Sequence, residues 1–86
     1  MNIQEQLAQS SRLSINGFEI RPQWCDHDTV LEVLITKPDG ERFSMSERMW
    51  EPVKGTRRIE FVRTKDQIYE QVAQWIHNVV YGDAPQ

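Results

Sequence analysis

Residues 64–81, TKDQIYEQVAQWIHNVVY, decide how the rest of this chain must fold. Ile68, Tyr69, Val72, Ala73, Trp75, Ile76, Val79 and Val80 recur at three- and four-residue spacing, so winding them as a helix gathers them into one broad apolar stripe. Glu70, Gln71, Gln74, His77 and Asn78 fall on the opposite face. Thr64 with Gln67 three residues later has capping-box form, and Asp66 suits the positive end of the helix dipole. Gly82 stands where a left-handed residue ends a helix. The spacing predicts a helix over residues 65–81, with 82–86 as a tail. A stripe this wide needs a sheet beneath it.

The upstream residues supply one. Phe18, Ile20 and Trp24 recur with period two, while Glu19, Arg21 and Gln23 point the other way. Thr29 to Lys37 is the clearest strand, with Leu31, Val33 and Ile35 on one face. Val30 and Leu34 on its other face imply a central strand buried in part on both sides. Asn16-Gly17 is either a type I′ turn after Leu13-Ser14-Ile15 or the loop before the Phe18 strand. Cys25-Asp26-His27-Asp28 reads as a polar turn. In Lys37-Pro38-Asp39-Gly40-Glu41, proline presets the first corner, Asp tolerates the second and Gly supplies positive φ. Phe43 and Met45 continue the next strand in register. Residues 46–55 show no clean period; Ser46 is placed to cap one helical turn through Glu47, Arg48 and Met49, which Pro52 ends. Thr56 to Thr64 reads as a fourth strand, with Ile59 and Phe61 inward and Arg58, Glu60 and Arg63 at least partly outward. Residues 1–11 read as a short helix capped by Asn2, with Glu5 three residues on and Ile3 and Leu7 sharing a face. The expected fold is a single α+β domain. Its strand-rich region, residues 13–64, forms a three- or four-stranded antiparallel meander, with the C-terminal amphipathic helix on one face and the short N-terminal helix beside it.

Composition sets the class. A chain of 86 residues, 38% hydrophobic and 27% charged, makes one globular domain. Its core is thin, because a domain this small buries only roughly 60–65% of the surface its unfolded chain exposes. No apolar run approaches a membrane span, and the first residues lack the basic and apolar regions of a signal peptide. Cys25 is the single cysteine, which precludes an internal disulfide and suits a reducing compartment. A cytoplasmic protein, free of membranes, is expected. The net charge of −3 is unevenly spread: from Arg42 to Lys65 there are seven basic and three acidic residues, so that segment is +4 and the remainder −7.

The residues hold no persuasive catalytic pattern. Cys25, Asp26, His27 and Asp28, with His77 as a further candidate, carry ligand chemistry but lack the paired Cys or His spacing of a zinc site. Cys25 and His27 are also too close in the chain for a thiolate–imidazole pair. Glycines 17, 40, 55 and 82 are isolated, so there is no phosphate-cradling loop. Pro38-Asp39 with Glu60 and Arg63 is faintly similar to the PD…ExK pattern of a nuclease family, but no E-x-K triplet follows and Pro38-Asp39 already forms a turn. The order helix–strands–helix is similar in outline to the double-stranded-RNA-binding domain. That family's last helix opens on a basic cluster, whereas here Lys65 stands alone beside Asp66. No enzyme activity, cofactor or metal is expected.

The remaining lead is a non-enzymatic module that binds another protein as an accessory or regulatory factor. Its expected contact residues are Arg57, Arg58, Arg63, Met49 and Trp50. Arginine suits bidentate contact with carboxylates or phosphates, and a Trp flanked by Arg has the composition of an interface hot spot. Trp50 reads equally as a lid over the sheet's second face, whereas Trp24 and Trp75 lie on core stripes. Nucleic-acid binding through the same arginines is the second expectation, set lower by the overall negative charge. Val30, Leu34 and Val62 need cover, so a homodimer through the sheet is a further expectation.

Overall fold

The alternating segments pair in chain order. In the computed structural model, which describes residues 2–82, the elements are α1 (Ile3–Gln9), β1 (Leu13–Ile15), β2 (Phe18–Cys25), β3 (Val30–Thr36), β4 (Arg42–Arg48), β5 (Trp50–Pro52), β6 (Ile59–Phe61) and α2 (Lys65–Tyr81). Strands β1 to β4 form an antiparallel meander in that order, and β5 pairs with β6 in a separate two-stranded ribbon. The predicted tail lies outside the described residues except for Gly82, which caps α2 at φ 66° and donates its N–H to Asn78 O.

Local chemistry makes the turns. Asn16 and Gly17 take φ of 53° and 84°, the two positive values a type I′ turn demands, and Ile15 pairs directly with Phe18 across it. Between β3 and β4, the Lys37 N–H donates to Glu41 O at 2.8 Å and the Gly40 N–H to Lys37 O at 2.9 Å. At the start of α2, Gln67 N–H donates to Thr64 Oγ1 and Thr64 N–H to Gln67 Oε1, completing the capping box. Asn2 caps α1 by accepting the Glu5 N–H at 2.8 Å.

The core lies between one face of the meander and the two helices. Leu13, Ile20, Leu31, Val33 and Ile35 come from the sheet, Ile68, Val72, Ile76 and Val80 from α2, and Leu7 from α1; none is more than 5% exposed. Two aromatic pairs fasten α2 to the strands on either side of β3. Trp24 of β2 meets Tyr69 edge-on at 5.7 Å and donates its indole N–H to the phenol oxygen at 2.9 Å. Phe43 of β4 meets Trp75 at 5.8 Å.

Two expectations are overturned. Residues 56–64 are not the fourth strand of the sheet; that place belongs to β1, and only Ile59–Phe61 is extended, paired with β5. Ile59 and Phe61 are 63% and 51% exposed, so they face solvent and not the core. Alternation states which side chains share a face, but it cannot state which sheet a strand joins. Nor do Ser46 to Met49 form a helical turn, because the β3–β4 ladder runs on to Val30↔Arg48. A single helical turn is too costly to nucleate to displace a strand already in register.

Because Ile76 is fully buried, Ile76→Ala is expected to cost about 2–5 kcal/mol of stability in urea unfolding. On the exposed face of the same helix, Gln71→Ala is expected to change it by less than about 0.5 kcal/mol. Equal effects at both positions would contradict the packing described.

Candidate functional site

The chain leaves the meander at Met49. Its N–H still donates to Thr29 O at 2.9 Å, beside the end of β3, while its carbonyl accepts the Val62 N–H at 2.7 Å and the Arg63 N–H at 3.3 Å. One residue therefore serves both sheets. Its side chain is half-buried and packs against the core, so Met49 anchors the bend.

Arg63 braces the bend from the other direction. Its Nη1 lies 2.9 Å from Glu51 Oε1 and its Nε 3.3 Å from Glu47 Oε2, and Nη1 also donates to Arg48 O at 2.9 Å. The planar fork ties β4 to β5 across Met49, and only 22% of the side chain is exposed.

Beyond the bend, parity turns Trp50 and Pro52 outward. The register Trp50↔Phe61 and Pro52↔Ile59 places four apolar side chains on one face of the ribbon, with Glu51↔Glu60 on the other. The Trp50 and Phe61 rings meet at 5.5 Å and 73°, yet Trp50 remains 43% exposed. Together these side chains leave on the order of 300 Å² of apolar surface open, from the full areas of such residues.

The connection from 53 to 58 is ordered by its own backbone. Val53 N–H donates to Arg58 O at 2.9 Å, Thr56 N–H to Val53 O at 3.1 Å, and Arg58 N–H to Thr56 Oγ1 at 3.1 Å. Gly55, at φ 80°, makes the reversal possible. Lys54, Arg57 and Arg58 stand exposed on this tip, and none forms an ion pair among the described residues.

The β2–β3 loop stands at the ribbon's base. Asp26, His27 and Asp28 all adopt left-handed φ (53°, 58° and 61°), a costly run for residues other than glycine. Thr29 closes the curl, its N–H reaching Cys25 O and Asp26 O at 3.2 Å and its Oγ1 donating to Asp26 O at 2.6 Å. The curl brings Asp26 and His27 beside Trp50 and Ile59, where they line a shallow hollow of about 300 Å³. Among the described residues the carboxylates of Asp26 and Asp28 have no ion-pair partner.

Of the five residues expected from sequence, Trp50, Arg57 and Arg58 lie on the exposed hairpin. Met49 and Arg63 lie at its root, engaged with the core and with Glu47 and Glu51. Ile59, Phe61 and Asp26 belong to the same surface and were not anticipated. The signal for the first two is present: Trp50-x-Pro52 and Ile59-x-Phe61 flank a turn built around Gly55, which is the pattern of a hairpin. His77 lies away from the Cys25–Asp28 loop, in the cleft between the helices, with its ring 4.8 Å from that of Tyr81. Among the described residues, no three His, Cys, Asp or Glu side chains converge on a common point. The open face of the meander carries Arg21, Gln23, Glu32, Ser44, Ser46 and Arg48, with Val30 and Leu34 half-buried among them.

Comparison with protein-family models, with curated proteins and with solved structures returns no match.

Arg63→Ala is expected to cost about 1–3 kcal/mol in chemical denaturation, because it leaves Glu47 and Glu51 without their shared partner. Arg63→Lys, lacking the fork, is expected to recover less than half of that loss. Arg57→Ala and Arg58→Ala, at exposed positions, are expected to stay within about 0.5 kcal/mol of the parent. A harmless Arg63→Ala would refute the bracing role.

Proposed function

We propose that this chain is a non-enzymatic protein-interaction module, an accessory or regulatory factor that docks on a protein through the outer face of the β5–β6 hairpin. The observation that carries the reading is the exposure of Trp50, Ile59 and Phe61 on one face of a braced ribbon, in a domain whose thin core would gain from covering them. At roughly 25 cal/mol per Å², covering such a patch returns several kcal/mol before the costs of association.

The surroundings support the same reading. A central aromatic pair with arginines at the rim is the composition of a binding hot spot. The Arg63 brace and the hydrogen-bonded tip hold the hairpin in shape beforehand, which reduces the entropy lost on docking. The molecule measures 42 × 32 × 22 Å with a radius of gyration of 14.1 Å. A compact chain of this length has roughly 12 Å, so the shape suits a hairpin that stands off the main body.

Nucleic acid is the second reading. Trp50 and Phe61 beside Lys54, Arg57 and Arg58 offer rings for base stacking and cations for phosphate. Asp26 on the rim of the same patch, together with the net charge of −3, opposes a phosphate backbone and places this reading below the first. Among the described residues no helix is long and apolar enough to cross a membrane; a cytoplasmic setting fits the single free thiol, Cys25.

A tagged pull-down from the native host's lysate, with and without nuclease, checks the reading. The parent is expected to retain a protein through nuclease and moderate salt. Trp50→Ala and Arg57→Glu/Arg58→Glu are expected to lose it while keeping the parent's circular dichroism. Recovery that requires nucleic acid, or that ignores both variants, would sink the proposal.

A further inference from the structure

Strand β4 is the last of the meander, and only one of its edges is paired. The Met49 N–H donates to Thr29 O, so Met49 faces β3, and the backbone alternates from there back along the strand. Phe43, Met45 and Glu47 turn their N–H and C=O to β3, while Arg42, Ser44, Ser46 and Arg48 turn theirs outward. Among the described residues the one outward group with a partner is the Arg48 carbonyl, which accepts from Arg63 Nη1. The result is about 20 Å of open edge, a template for one more strand. The opposite side of the sheet offers less. There β1 has three residues, and the stretch of β2 beyond it carries Pro22, which has no N–H to donate.

The side chains along β4 select the strand that fits. On the core side, Phe43 and Met45 pack against the core but stay part-exposed, Phe43 with its ring on Trp75. On the open side, Arg42 and Arg48 stand exposed at the two ends, with Ser44 and Ser46 between them. Neither arginine has an ion-pair partner among the described residues. The neighbouring carboxylates are committed or set back. Glu41 pairs with Lys37 and Glu47 with Arg63, while Glu32 lies one strand in, opposite Ser46.

A second copy fits this edge poorly. Two-fold pairing centred on Met45, the register that uses the whole strand, would set Arg42 of each chain opposite Arg48 of the other, and like charges directly opposed are destabilising. We propose that β4 takes up an acidic, extended segment of another protein as a fifth strand of the meander. Its carboxylates lie on the side of Arg42 and Arg48, and its alternate, apolar residues lie over Phe43 and Met45. The main-chain bonds supply attachment, and the two arginines supply the choice of sign. This use of the edge does not depend on the Trp50 patch.

The probe is a blocked peptide of about nine residues alternating Glu and Val, set against its Lys and Val counterpart, with the full chain followed by amide NMR and hydrogen exchange. In the free protein the Ser44 and Ser46 amides are expected to exchange at least about tenfold faster than those of Phe43 and Met45. The acidic peptide, added to about 1 mM, is expected to shift and slow the Ser44 and Ser46 amides and to bind at least about tenfold more tightly than the lysine peptide. Arg42→Glu/Arg48→Glu is expected to invert that preference. Ser44→Pro removes an outward N–H without touching the β3 ladder, and is expected to abolish binding while keeping the parent's circular dichroism. N-methylating the Glu amides of the peptide, which leaves the protein unaltered, is expected to abolish it too. Equal affinity for the two peptides, binding that ignores the N-methyl groups, shifts confined to the hairpin, or no binding at about 1 mM each overturns the proposal. So does protection of Ser44 and Ser46 that grows with the concentration of the protein alone, which would assign the edge to a second copy.

Discussion

Everything in this molecule depends on covering the apolar stripe of α2. Ile68, Val72, Ile76 and Val80 are burying themselves against Leu31, Val33 and Ile35 of the central strand and against Ile20 beside it. Among the described residues this is the one buried hydrophobic cluster. The requirement selects β3 as the central strand, orients its neighbours, and explains why the Trp24–Tyr69 and Phe43–Trp75 pairs sit where β2 and β4 meet the helix.

Once the stripe is covered, the chain between β4 and α2 has nowhere left in the core to go. β4 ends level with β3 at Val30↔Arg48, and at Met49 the backbone passes from one sheet to another. The bend separates inward from outward by parity. Met49, Glu47 and Glu51 turn toward the body and Arg63, while Trp50 and Pro52 turn out. An exposed aromatic face follows from the same geometry that secures the hairpin's root.

The β2–β3 loop adds a second irregularity beside the first. Three successive left-handed residues store conformational free energy, and the hydrogen bonds of Thr29 hold them in place. Their effect is positional: they bring Asp26 and His27 beside Trp50 and Ile59, with Arg48 lining the adjoining hollow. In one small area the fold joins apolar area, rigidity and charge of both signs, the properties from which the proposed docking is drawn.

The sequence by itself determined the elements whose periodicity is tied to one dominant burial surface. The stripe of residues 68–80, the capping box at Thr64, the Gly82 cap and the alternation through β2 and β3 each state a local conformation and the face it hides. The proposed contact surface is legible in part. Trp50, Arg57 and Arg58 carry its composition, while alternation marks Ile59 and Phe61 as core, where large apolar residues in that pattern normally lie. Only the tertiary structure decided that their strand pairs outside the main sheet, that Arg63 is spent on Glu47 and Glu51, and that the Asp26 loop borders Trp50. The physical reason is that strand pairing and ion pairing join residues distant in the chain. Local pattern says which side chains share a face, and the competition for a small core decides which face stays uncovered.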